Sequence, residues 1–261
     1  MWSHLSSLAV AIIVFYTPAL FLSFPLIIRH GRPRLVWFLN FIMAALRIGT
    51  SVVLFLRDKN PSDARFQTPS LTLLSVGVFP LLLSAIGFIR VIRELELPKS
   101  RSMVLCIVVL RLIFLVGIAL LIVGAILRSP THPTGIFENM VRASSIVSLG
   151  LLLAIAAIQV FIGTRLNELS SSTKTIMTAF VATGHLLLLR ILYFILSAFN
   201  AHAPTFSPLS STPGSVAALV CMSLIPEYMV VAINIYVGWK LPRVTRAQGP
   251  SVDWLGRDRK V

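Results

Sequence analysis

The chain has 261 residues, of which 56% are hydrophobic and 12% charged, with a mean hydropathy of +0.89. Soluble domains carry about a quarter charged residues, so this composition excludes an ordinary soluble fold and points to membrane-spanning blocks. The formal net charge of +14 would suggest nucleic acid in a soluble protein. Here most of the positive charge falls in short connections and the tail, where it orients helices and meets anionic lipid, so nucleic acid is not an expected partner.

Seven apolar blocks follow in chain order: Leu5–Ile28, Leu35–Leu56, Pro69–Val91, Met103–Leu127, Met140–Gly163, Thr175–Ala198 and Gly214–Trp239. Each is near the roughly 20 residues that cross a 30 Å hydrocarbon core. Only helices satisfy their own backbone there, so the expected fold is all-α, a polytopic transmembrane bundle of seven spans. The first block reads as a retained span rather than a signal peptide, since no Lys or Arg precedes it and it runs about 24 residues. Residues 1–242 form one seven-helix domain, and 243–261 a basic tail.

Lys and Arg divide unevenly between the two sides. The connections after spans one, three and five, with the tail, hold fourteen, including Arg29, Arg93 and Lys240; the other side holds four, Arg57, Lys59, Arg65 and Arg128. The positive-inside rule then places the N-terminus outside and the C-terminus in the cytosol. The endoplasmic reticulum or the plasma membrane is the expected location. Phe199–Pro213 is Pro- and Ser-rich and uncharged. No internal repeat of the transporter kind is visible.

Cys106 and Cys221 both lie in apolar blocks, and neither a disulfide framework nor a metal site is indicated. Asn60-Pro61-Ser62 is the one Asn-x-Ser/Thr match, and its central Pro rules it out as a glycosylation acceptor. His185 has no ligand-spaced neighbour, so no metal and no cofactor is expected.

Polar residues inside spans are costly: about 2.5–3.5 kcal/mol for a charge at a helix centre even on insertion scales. Glu227 is the one deep acid; Arg47, Arg111 and Arg190 are the deep cations. At 100° per residue, Ser223, Glu227 and Asn234 share one face of span seven. Thr183, Arg190 and Ser197 recur every seven residues in span six, with Tyr193 one turn on. Asn40 and Arg47 are seven apart in span two, followed by Ser51. These seams are expected to face one another, with Arg47, Arg190 and Glu227 converging. Pro226 removes a backbone donor beside Glu227 and predicts a kink there. Gly117 and Gly124 predict close helix approach, and Trp37 and Trp239 read as interfacial belt residues.

Tyr16-Thr17-Pro18-Ala19, Arg29-His30-Gly31, Trp37, Arg47, Gly77 with Pro80-Leu81-Leu82, Arg190, Tyr193 and Pro226-Glu227 occur in this order over most of the chain up to Pro242. With these, the chain resembles an uncharacterised family of fungal seven-span membrane proteins, for which the resemblance implies no activity. In size and topology it is also similar to the small membrane-bound terpene cyclases of fungi and to their seven-span lipid-translocation and stress-resistance proteins, by analogy alone.

Three functions are weighed at this point, and the first is the leading expectation. The first is an intramembrane cyclase or isomerase of a small lipophilic metabolite, as in specialised metabolism. Glu227 is then the catalytic acid, and Arg47, Arg190, Tyr193, Asn234, Tyr228 and Ser223 bind substrate. Close Arg residues oppose such an acid, so this reading needs Arg47 and Arg190 turned away or holding an anionic part of the substrate. The second is a receptor or carrier in which the two Args bind an amphipathic anion. The third is a scaffold in which Glu227 pairs with Arg47 or Arg190 to lock the bundle. Membrane lipid is the common partner.

Overall fold

The computed structural model describes residues 4–29, 34–60, 64–96, 101–127, 135–164, 171–200, 205–206 and 212–241. The basic tail 243–261 and the connection residues Arg32, Lys99, Arg128 and Arg165 lie outside these. Among the described residues every regular element is helical: α1 (His4–Arg29), α2 (Arg34–Lys59), α3 (Gln67–Val76), α4 (Val78–Glu96), α5 (Arg101–Leu127), α6 (Gly135–Gly163), α7 (Ser171–Phe199), α8 (Pro213–Leu219) and α9 (Ile225–Lys240). A 3₁₀ turn (Ala64–Phe66) precedes α3, and a π-helical segment (Val220–Leu224) joins α8 to α9.

These elements form seven spans, Leu5–Arg29, Leu35–Lys59, Thr68–Leu95, Arg101–Leu127, Gly135–Gly163, Thr173–Phe199 and Pro213–Lys240, each long and apolar enough to cross a membrane. They match the seven apolar blocks of the sequence to within a few residues at each end. The side chains turned outward are themselves apolar, among them Phe21, Leu105, Leu112, Leu153 and Val160. A soluble bundle would turn polar residues outward; this one presents a hydrocarbon surface, as lipid requires. The protein is a multi-pass integral membrane protein.

The third span, α3 with α4, is the axis of the bundle. Of its most apolar stretch 72% is buried, against 28% for α1, α5 and α6. It packs against α2, α5 and α7, while α9 closes the ring between α1, α2 and α7. Two spans depart from a regular α-helix. The third breaks at Gly77, three residues before Pro80, which lacks a backbone donor. In the last span, Ile225 N–H bonds back to the Val220 carbonyl, five residues earlier. That widened turn stands just ahead of Pro226, where an α-helix would drive the proline ring into the carbonyl four residues back. The kink expected at Pro226 is therefore a π-bulge.

Hydroxyls inside the spans mostly bond their own helix: Ser23 to the Ala19 carbonyl, Thr50 to Leu46, Ser70 to Phe66 and Ser148 to Ser144. In lipid this is the cheapest way to satisfy them. Other polar bonds cross between helices, among them Ser144 to the Gly117 carbonyl and Gln159 to the Phe180 carbonyl. Gly117 lies against Phe79 and Val147, and Gly124 against Met140 and Phe137, so both glycines do sit at close helix contacts. Trp37 corrects an expectation. It is 3% exposed, set edge-on to Phe88 and against Gly238, and so belongs to the core rather than to an interfacial belt. Trp239 remains exposed, with the Arg29 guanidinium over its ring.

Candidate functional site: a buried Arg–Glu–Arg cluster

Arg47 stands at the middle of α2, and Glu227 at the middle of the last span, in the first turn of α9 just beyond the π-bulge. Arg190 lies two thirds of the way along α7. All three are buried, Arg47 and Glu227 completely. Arg47 grips the carboxylate with two parallel bonds, Nε to Oε2 at 2.6 Å and Nη2 to Oε1 at 2.5 Å. Arg190 Nε donates to the same Oε1, and Arg190 Nη2 donates to the Leu74 carbonyl at 2.8 Å. Both oxygens of Glu227 thus accept from guanidinium N–H groups, in the charge-assisted geometry that is strongest out of water. The expected convergence of three seams is present.

The break in the third span makes room for this. A Cβ on Gly77 would lie 2.7 Å from the Arg47 Cζ and closer still to Nη2. Glycine is needed there for space. The Leu74 carbonyl that receives Arg190 belongs to the last turn before the same break. Sequence reasoning placed no function on Gly77 or Leu74.

Tyr16 was also missed as a site residue. It is 2% exposed, with its hydroxyl fully buried. The available signal was a phenol inside an apolar span, which needs a polar neighbour somewhere. Tyr16 also lines a crevice of about 170 Å³ between α1 and the last span. Leu8, Ile12, Phe15, Leu224 and Ile225 form its apolar walls, and Tyr228 and Tyr16, also in the lining, pack edge to face with ring centroids 5.8 Å apart. Phe15, exposed on the outer surface, meets the Tyr228 ring edge-on, so the crevice opens sideways toward lipid.

The remaining candidates divide between two places. Tyr193 is buried beside the cluster, with the Arg190 guanidinium 5.9 Å from its ring centroid. Together with Ser75 and Ser197 they line a cavity of about 10 Å³, the scale of a single water. Ser223 is buried one turn before Glu227. Asn234 is elsewhere: its Nδ2 donates to Asn40 Oδ1 at 3.0 Å and to Ser84 Oγ at 3.4 Å. The seven residues between Asn234 and Glu227 span about 10 Å of helix. The polar face of span seven is real, but it serves two separate layers. Arg111 stays half-buried on α5 and makes no bond to the cluster. His185 bonds the carbonyl of Val181 in its own helix, and no group of three metal-binding side chains occurs among the described residues.

Fold and site together define a class: a seven-span α-helical membrane protein built around one buried carboxylate shared by two arginines. Within that class the chain belongs to the family described as Domain of unknown function (DUF7702), whose model matches residues 3–244, and so includes every site residue named above. No curated protein and no solved structure matched the chain.

Proposed function

We propose that the protein is a receptor or carrier for an amphipathic anion, with the apolar part in the crevice between α1 and the last span and the charged head drawn to the surplus positive charge of the cluster. One observation carries this reading. Two guanidiniums share one carboxylate, which leaves a net charge of +1 in a buried site. An uncompensated buried cation is costly, and an anionic guest removes that cost. The apolar crevice beside it gives a lipophilic guest a way in from the bilayer.

The acid-catalysis reading fits less well. A catalytic acid must aim an O–H at its substrate, whereas both Glu227 oxygens already accept from arginines that are not turned away. The scaffold reading accounts for the salt bridges but for neither the surplus charge nor the crevice. The charge asymmetry of the connections supports an N-terminus outside and a C-terminus in the cytosol.

Purified protein in neutral lipid nanodiscs, melted with matched anionic, neutral and cationic amphiphiles, tests the proposal. Only the anionic ones are expected to raise the melting temperature, as a guest bound to the folded state does. A parallel metabolite profile of gene-deleted and Glu227→Gln cells is expected to show an altered split of lipophilic anions between cells and medium. Accumulation of a compound that intact cells convert to a same-mass isomer would instead establish the enzyme.

A further inference from the structure

We infer that the corner where the first and last spans end together holds one anionic phospholipid, its phosphate between Arg29 and Lys240. The corner lies about 20 Å of helix from the crevice and is independent of what the crevice binds.

Arg29 closes α1 and Lys240 closes α9. With seven spans, these two ends reach the same face of the membrane. The Arg29 guanidinium lies over the Trp239 ring, 5.3 Å from its centroid, and Nη2 donates to the Leu241 carbonyl at 3.4 Å. Lys240 follows Trp239 in the chain, with its ammonium 5.7 Å from the Tyr236 ring centroid. Tyr236, Trp239 and Lys240 are exposed on one face of α9, and Arg29 is half-buried beside them. Two cations and two aromatic rings from two helices thus share one patch.

No acid answers these cations. Neither Arg29 nor Lys240 enters a salt bridge among the described residues. α1 contains no acidic residue. The one acid of α9, Glu227, is held by Arg47 and Arg190, about 20 Å of helix from Lys240. α2, α7 and α8 pack against these two helices, and none of them brings an acid to this end. The carbonyl ends of α1 and α9 offset roughly half a charge each. About one positive charge is then left, which one phosphodiester matches.

The surroundings select lipid as its source. Phe24 and Ile28 are exposed along α1 on the way into the bilayer, and Tyr236 along α9. A phosphate held at the corner can lay its acyl chains on this apolar surface, which a soluble anion does not use. A choline or ethanolamine head group adds a cation of its own. Such a cation seeks an aromatic face, and the rings of Trp239 and Tyr236 already carry Arg29 and Lys240. A zwitterionic lipid therefore brings like charge to the patch, whereas an anionic one does not.

Tryptophan quenching tests this, with full-length protein in phosphatidylcholine nanodiscs that contain a minor fraction of chain-brominated phosphatidylglycerol or chain-brominated phosphatidylcholine. Comparison with Trp239→Phe isolates the Trp239 signal. Phosphatidylglycerol is expected to quench Trp239 with about a 30-fold preference, at about fivefold for each basic residue near the surface. Arg29→Gln/Lys240→Gln should remove the preference. Arg93→Gln, at the end of α4 on the same face, should keep it. Lys240→Gln alone changes one exposed side chain and is expected to lose about fivefold, so the test stands even if the double variant does not fold. Equal quenching by the two lipids would overturn the inference, as would a preference that survives the loss of both cations. Equal loss in Arg93→Gln would assign the preference to the general field of the basic face and overturn the local site. Displacement by millimolar inorganic phosphate would overturn the assignment to lipid.

Discussion

At the residue scale, the energetics of the site turn on which charge is removed. Glu227 compensates two buried cations, whereas each arginine shares its partner with the other. Glu227→Gln leaves two unpaired guanidiniums a few ångströms apart. Arg190→Leu leaves a neutral, bidentate Arg47–Glu227 pair, at the cost of one donor to the Leu74 carbonyl. Breaking a buried ion pair by removing one partner costs about 3–5 kcal/mol. Glu227→Gln is therefore expected to reach that range, and Arg190→Leu to cost about half as much. In the double variant Arg190→Leu/Glu227→Gln, one cation has gone with the anion, so the two losses should fall short of adding. Thermal unfolding of the four proteins in one detergent measures this, and additive losses would show that the three side chains do not act as a unit.

At the element scale, two irregular spans place the cluster. The third gives up regular geometry at Gly77, and the last widens to a π-bulge before Pro226. Gly77→Ala is expected to push the Arg47 guanidinium off Glu227 and to destabilise by about 3 kcal/mol, the upper range for overpacking. Gly49→Ala, two residues from Arg47, is the control: nothing lies within 4 Å of its added Cβ, and it faces outward. That substitution is expected to be neutral or to gain up to about 1 kcal/mol of helix propensity. Equal melting temperatures for the two variants would remove Gly77 from its role as the space for Arg47. Hydropathy shows both irregular segments as ordinary apolar sequence. Pro80 and Pro226 signal some distortion in advance, but neither its form nor the side chain it accommodates, because that depends on a neighbour far away in the chain.

At the scale of the whole molecule, seven spans put the termini on opposite faces, and the connections facing the tail carry most of the positive charge. An epitope at the N-terminus is expected to be reached from outside intact cells, and one at the C-terminus only after permeabilisation; the reverse pattern would overturn the orientation. The third span at the centre explains why the site is closed on most sides: α2, α5 and α7 pack against α3 and α4. The crevice between α1 and the last span, beside Tyr16, is the opening described here on the lipid side.

The sequence by itself determined the spans, their number, and the three side chains of the cluster. Each of these is a local property. A membrane helix satisfies its own backbone, so an apolar block of the right length is a span whatever surrounds it. A charge in such a block must find a partner, and the choice is short when one acid faces three deep cations. Tertiary structure alone decided that Glu227 takes both arginines at once rather than one of them. It also decided that Asn234 pairs with Asn40 in a second layer, that Trp37 is core, and that Tyr16 lines the crevice. These depend on how each helix is rotated and which helices touch. Periodicity marks a helix's polar face but carries no information about the helix opposite it; packing of the whole bundle supplies that.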